Sequence, residues 1–396
     1  MIRLNPNQTY LIAVSGGPDS IFLLDNLRES GTKMVVCHVN YNFRDDSSFD
    51  QKIVEEYCAK YKLNLEIKNI DIDYKQFKNN FEDWARTTRY DFFVEIANKY
   101  NLKTLVVGHN QNDVIETYLM QKQRNNNVDF FGISRFSSYK TLNIIRPMLD
   151  VKKSEVIKYL VEKNIPYAID STNFDQKYLR NKFRANLDEK DFEKYLKEIN
   201  IDNENLDQIK NLVNFYTNNN MTADHLVIKD DLKDFDVKVI ERIVYQYFKL
   251  LKKEHLLQNR KNSTITEIAK RIKTSKKVFW TIEIGGETLV KDFDALYLLN
   301  TEYLKPITLT ISGRDELYRT EEFINWLDIF NAIKNDGENY PYVVTTNYED
   351  YKLKTTVDGV KTNRYLINNK IKYKLRILKA VVYSETNHKI LNKIHR

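Results

Sequence analysis

The chain has 396 residues, with 62 Lys or Arg against 55 Asp or Glu and a formal net charge of +7. That length allows two or three domains with separate cores, and no apolar run approaches the roughly 20 residues of a membrane-spanning helix. Gly (10) and Pro (6) are scarce while Lys, Asn, Ile, Tyr and Phe are abundant, a bias of an AT-rich genome that takes weight from Lys and Asn as binding signals.

Tyr10 to Val14 is an apolar run that reads as a buried strand, and Ile21 to Leu27 continues as a helical pattern. Between them stand Ser15, Gly16, Gly17, Pro18, Asp19 and Ser20. A strand, a small-residue turn and a helix start direct backbone N–H groups and the positive end of the helix dipole at one point, which suits an anion. Gly16 and Gly17 allow close approach of a phosphate, and Ser15 and Ser20 offer hydroxyl donors. No GxxxxGK[ST] loop occurs in the chain.

Further strands are expected over 34–38, 65–70 and 104–107, and further helices over 49–61, 81–100 and 114–120. This alternation predicts an α/β domain, a doubly wound parallel sheet with ligands at the carboxyl ends of its strands. His38-Val39-Asn40 and Gly108-His109-Asn110 end the second and fourth strands and so share an edge with the loop. Strand signals stop near residue 188. A mainly helical middle region follows, with helices expected over 191–199, 206–216 and 239–251 and then a β-rich stretch over 278–299. The last part mixes strands with a basic helix around 361–368. The domain boundaries read as 1–188 for the catalytic part, 189–305 for a helical and α+β middle, and 306–396 for a small basic α+β part.

From residue 351 onward there are twelve Lys or Arg against Asp358 and Glu385. This asymmetry is the footprint expected of a polyanion partner, or of a solvated face. The N-terminus lacks the basic-then-apolar layout of a signal peptide. Cys37 and Cys58 have neither CxxC nor metal-ligand spacing. A cytoplasmic protein with two buried thiols and no membrane association is the expectation.

The loop at 15–20 resembles that of the N-type ATP pyrophosphatases. Four more groups follow in order: His38 to Arg44, Glu82 to Tyr90, Gly108 to Thr117, and Arg146-Pro147-Met148-Leu149 with Asp170-Ser171-Thr172-Asn173 and Tyr178, Arg180, Asn181 and Arg184 behind it. As an ordered set, over about residues 10 to 185, they resemble the tRNA(Ile)-lysidine synthase family. That resemblance implies ATP-dependent attachment of L-lysine to the wobble cytidine of an isoleucine tRNA with a CAU anticodon, through an adenylated cytidine. ATP would bind at Ser15 to Ser20 and at His38, with Mg²⁺ beside Asp19. Asp113 and Glu116 would hold the lysine amino groups. Arg89 and Arg180 would reach phosphate or the target base. Asn110 and Asn112 depart from the family, where His and Asp are usual.

The residues alone leave alternatives. Asp19 could cap a helix, Asp113 and Glu116 could simply favour the helix dipole, and Arg89 could form a surface ion pair. The cations at Lys177, Arg180, Lys182 and Arg184, interleaved with Tyr178 and Phe183, suit anticodon phosphates and a stacked base, or a solvated face over core aromatics. A thiolase would need reactive cysteines, and a glutamine-dependent synthetase a nucleophilic Cys in a second domain. Another tRNA-modifying enzyme with this loop, or a non-catalytic tRNA-binding module, also stays open. So does the choice between monomer and homodimer.

Overall fold

Thr9–Ala13 forms strand β1, and α1 (Pro18–Glu29) follows it across the glycine turn. The chain continues through β2 (Lys33–Asn40), α2 (Ser47–Tyr61), β3 (Asn64–Asn69), α3 (Phe81–Lys99), β4 (Thr104–Val107) and α4 (Gln111–Arg124). A hairpin of β5 (Phe136–Tyr139) and β6 (Leu142–Ile145) then leads to α5 (Lys153–Glu162). The computed structural model describes residues 2, 4–42, 47–70, 81–125, 127–168, 183–184, 187–257, 263–348, 356–357 and 360–392.

The sheet order is β3-β2-β1-β4-β6-β5, parallel throughout except for the β5–β6 pair. Leu11 and Ile12 of β1 are fully buried on opposite faces. Ile12 joins Val36, Leu23, Val54 and Leu160 on the α1, α2 and α5 side, whereas Leu11 joins Val35, Phe93 and Leu105 on the α3 side. Burial on both faces is why these strands are continuous apolar runs rather than alternating ones. Because β1 has β2 on one side and β4 on the other, the chain reverses direction across the sheet at the β1–β4 boundary. The connections after these two strands diverge there and open the crevice where doubly wound folds bind ligands.

The helix behind the loop is tied down by a buried carboxylate. Asp25 of α1 accepts hydrogen bonds from Arg28 (2.7 Å), from the Tyr159 hydroxyl of α5 (2.8 Å) and from the Tyr57 hydroxyl of α2. Burial would raise the Asp25 carboxyl, but these donors outweigh it and hold it below the usual carboxylate range.

The chain divides into two compact units, Met1–Gln208 and Ile209–Arg396, with the division inside helix α6 (Phe192–Asn220). In the second unit, β7 (Leu226–Val227), α7 (Val237–Leu250), α8 (Ser263–Thr274), β8 (Phe279–Ile284), β9 (Glu287–Asp292) and β10 (Ala295–Asn300) share one apolar cluster. Their antiparallel order is β7-β10-β9-β8, and Gly285 and Gly286, at φ +58° and +86°, make the β8–β9 turn. After them come β11 (Thr308–Ile311), α9 (Trp326–Asn335), β12 (Tyr342–Thr345), the small pair β13 (Thr356–Val357) and β14 (Val360–Lys361), α10 (Thr362–Asn368), α11 (Tyr373–Arg376), β15 (Val381–Ser384) and β16 (Lys389–Ile390). The second sheet runs β11-β12-β15-β16 over its own apolar cluster. Among the described residues no helix is long and apolar enough to cross a membrane.

Candidate active site

The turn between β1 and α1 has the shape of an anion cradle. Gly16 sits at φ +91°, and a Cβ there would stand 2.8 Å from the Asp50 carbonyl oxygen, so only glycine fits. Pro18 starts α1, where its missing N–H costs nothing. The next N–H groups, of Asp19 and Ser20, have no partner inside the helix. The Ser20 hydroxyl donates to the Gly17 carbonyl (2.9 Å) and accepts from the Ser15 N–H (3.1 Å), which braces the loop.

Asp19 does not cap α1, whose N-cap is Gly17 with no side-chain cap bond. Its carboxylate instead reaches across the crevice. Oδ1 accepts from the Asn110 amide (2.8 Å), and Oδ2 pairs with the Lys153 ammonium at the start of α5 (2.6 Å). Asn110 thereby links the β1 and β4 connections, and its Oδ1 also caps α4 by accepting from the Asp113 N–H (3.0 Å). Asn112 accepts from the Lys153 backbone N–H (2.9 Å). The two departures from the family pattern are thus both engaged at the site edge.

Asp113 completes a capping box, its Oδ2 accepting from the Asn110 N–H (3.1 Å). Glu116, one turn along α4, is 1% exposed and holds Arg184 at two points, 2.8 Å to Nε and 3.2 Å to Nη2. Burial alone would lower the Arg184 guanidinium. The Glu116 hydrogen bonds and charge, with Asp113 and Asp19 adding to the field, raise it instead. Three carboxylates from two helices, α1 and α4, therefore act on one cation.

His38 stands near the carboxyl end of β2 with only 2% of its surface exposed. Its Nδ1 lies 2.9 Å from the Val14 carbonyl, which can only accept, so Nδ1 carries the proton and Nε2 is a bare acceptor. Nε2 is buried with no partner among the described residues. Burial pushes the imidazole below its ordinary value, only partly opposed by the Val14 hydrogen bond, which keeps the ring neutral. Asn40, at the same strand end, binds Gln51 (2.8 Å) and the Asn42 N–H (2.9 Å). Arg146 is 6% exposed; it donates to His109 Nδ1 (3.2 Å) and to the Ser134 carbonyl (2.8 Å), placing the imidazole over the β4 end. Arg89 lies on α3 with its guanidinium 5.9 Å from the Tyr90 ring centre, and it makes no hydrogen bond or ion pair among the described residues.

Arg44, Asp170, residues 171–173 and residues 177–182, Arg180 included, lie outside the described residues. No cluster of three or more His, Cys, Asp or Glu positioned for a metal occurs among those described. Magnesium, however, needs only one or two carboxylates when phosphates and waters complete its shell. Asp19, the one carboxylate of the phosphate loop, with Asn110 and Lys153 on its two oxygens, fits that use and does not fit a metal held by protein alone. Cys37 and Cys58 are 1% and 2% exposed, and burial pushes the Cys58 thiol up to about 12. Neither is presented as a nucleophile.

Sequence reasoning missed Lys153 and the pairing of Arg184 with Glu116. One signal for the first was available: Lys152-Lys153 opens a helix where the dipole disfavours cations.

Residues 2–190 match the PP-loop domain family. The chain is 52% identical over 393 residues to the tRNA(Ile)-lysidine synthase of Mesoplasma florum, covering 99% of both chains. It is 49% identical over 398 residues to the tRNA(Ile)-lysidine synthase of Mycoplasma mycoides subsp. mycoides, covering 100% of this chain and 99% of the relative. The enzyme of the same name from Malacoplasma penetrans is 42% identical over 193 residues, 47% of this chain and 64% of the relative.

Proposed function

The chain belongs to the tRNA(Ile)-lysidine synthase family, and we propose how its residues carry out that family's ligation. The reaction joins L-lysine to the wobble cytidine of an isoleucine tRNA with a CAU anticodon, consumes ATP, and yields lysidine, AMP and pyrophosphate. Lysidine pairs with A, so the product tRNA decodes AUA.

The 2-oxo group of cytosine is a poor leaving group. In the first step its oxygen attacks the α-phosphorus of ATP and the bond to the β-phosphate oxygen breaks, releasing pyrophosphate. The glycine turn and the first N–H groups of α1 receive the phosphates, donors fixed in place before charge develops. Bound at Asp19, Mg²⁺ would neutralise charge on the phosphates. His38 Nε2, an acceptor without a partner among the described residues, suits a donor such as the adenine amino group or a ribose hydroxyl.

In the second step the lysine ε-nitrogen attacks ring carbon C2, and AMP departs with the oxygen that was activated. An ammonium has no lone pair, so the amine must first lose a proton. Asp113 and Glu116 stand on one face of α4 at the crevice. We assign them to hold the amine, with the Asp113 carboxylate taking its proton and Glu116 holding Arg184. Arg89, Arg180 and the basic region 306–396 are assigned to tRNA.

The observation that carries this reading is the meeting of an anion cradle and an acid pair at one switch point, joined through Asn110. Pyrophosphate release that requires the tRNA transcript, with lysine incorporation that requires Asp113, tests it. Binding of ATP and tRNA without turnover would support the non-catalytic alternative.

A further inference from the structure

The loop at 15–20 contains no cation. Its donors are neutral N–H groups, and the Ser20 proton is already committed to Gly17. Pyrophosphate leaves with several negative charges, more than a single Mg²⁺ at Asp19 would neutralise, which leaves a use for a cation from another part of the chain. Lys153 is the first residue of α5, 134 positions beyond Asp19 in sequence, and its ammonium lies 2.6 Å from Asp19 Oδ2.

Three contacts hold this lysine at the phosphate edge. Its backbone N–H donates to Asn112 Oδ1 (2.9 Å), the Gln111 N–H donates to the Val151 carbonyl (2.9 Å), and Asp19 takes the ammonium. The starts of α4 and α5 are therefore joined, and both face the start of α1. An ammonium has three donors. Asp19 uses one, and the other two have no partner among the described residues. The Lys153 side chain is 35% exposed and that of Asp19 27%, so solvent and a ligand can reach the pair. A pair this open adds little to stability, and a cation at a helix N-terminus works against the dipole. An anion bound between α1 and α5 would relieve that opposition.

Resting on the ATP reading above, we propose that Lys153 is the cation of the pyrophosphate grip. It donates to β- and γ-phosphate oxygens of ATP and follows them as the α-phosphorus–oxygen bond breaks and the electron pair passes to pyrophosphate. No proton is transferred. Asp19 and Asn112 position Lys153, which gives Asn112 a use that an acid at the same position would serve as well.

The test uses the full-length chain with Lys153→Met and Lys153→Arg. Equilibrium binding of ATP, inorganic pyrophosphate and AMP is measured by calorimetry, alongside thermal melting. AMP lacks the two phosphates assigned to Lys153 and so separates a phosphate contact from general damage to the fold. Lys153→Met is expected to weaken ATP and pyrophosphate at least tenfold, change AMP less than twofold and keep the melting temperature. Lys153→Arg is expected to recover most of the ATP affinity. Unchanged ATP and pyrophosphate affinity in Lys153→Met overturns the proposal, as does an equal loss of all three ligands. Failure of the unsubstituted chain to bind ATP would instead overturn the nucleotide reading on which it rests.

Discussion

Glu116 and Arg184 form a two-point ion pair, 2.8 and 3.2 Å, in which the acid is 1% exposed and the side chain of the base 41%. The asymmetry sets unequal costs. Arg184→Ala removes the two-point cation from a carboxylate in the interior, a loss of about 3 kcal/mol or more. Glu116→Gln leaves a guanidinium that water can reach, and should cost markedly less. Denaturant unfolding of both variants checks the order, and equal losses would contradict it. Glu116→Gln should also raise the KM for lysine at least tenfold while leaving tRNA-dependent pyrophosphate release in place.

Gly16→Ala tests the cradle itself. A methyl group must occupy a position 2.8 Å from the Asp50 carbonyl at φ +91°, a strain of about 1–3 kcal/mol. ATP affinity should fall at least tenfold, because relief of the clash moves the donors that meet the phosphates. Gly286→Ala, also at positive φ but with nothing near its added methyl, should lose a comparable amount of stability and bind ATP normally. Calorimetry with ATP on both variants distinguishes the two positions.

His38 predicts a pH dependence. Burial depresses its folded value, so as acid is added the unfolded chain takes up a proton before the folded chain does. Its contribution to stability is complete above the unfolded value of about 6.5 and is lost as pH falls toward the folded value. Between pH 7.5 and 5.5 the unsubstituted chain should lose more stability than His38→Asn, whose amide can still donate to the Val14 carbonyl. Identical pH slopes from chemical denaturation would contradict the assignment of a buried neutral imidazole.

The cations of the C-terminal region are not equivalent. Arg376 is 2% exposed and bound to Asp292 (2.7 Å), and Lys374 pairs with Asp224 (2.6 Å). Lys352, Lys354, Lys393 and Arg396 lie outside the described residues, whereas Lys361, Arg364, Lys370 and Lys372 are exposed. Replacing Lys370 and Lys372 by Gln should weaken tRNA binding and lower its salt slope by about two, one per phosphate contact. Lys374→Gln should do less. An unchanged affinity after the double replacement would remove this surface from the tRNA site.

Much of the site could be read in the sequence because it depends on local order. The run Tyr10 to Val14 followed by SGGPDS implied a strand, a glycine turn and a helix start, and those are β1, the loop and α1. The three-residue spacing of Asp113 and Glu116 placed both acids on one face of α4. What escaped were partnerships between distant segments. Nothing near Asp19 announces Lys153, and nothing near Glu116 announces Arg184, because hydrophobic period reports which face is buried and not which side chain arrives opposite it. Asn110 shows the same limit. Read only as a departure from the family pattern, it had no partner in view, but its amide joins Asp19 to the α4 cap, a role set by the adjacency of β1 and β4.

The central claim is that one crevice adenylates a cytidine and then delivers lysine to it. The most direct measurement follows pyrophosphate release and radiolabelled lysine incorporation together, using ATP, lysine and a CAU-anticodon isoleucine tRNA transcript, for the unsubstituted chain and Asp113→Asn. The account predicts that both signals require tRNA, that they are equal in the unsubstituted chain, and that Asp113→Asn retains pyrophosphate release while incorporation falls at least a hundredfold. Incorporation by Asp113→Asn at the unsubstituted rate, or pyrophosphate release without tRNA, would contradict it.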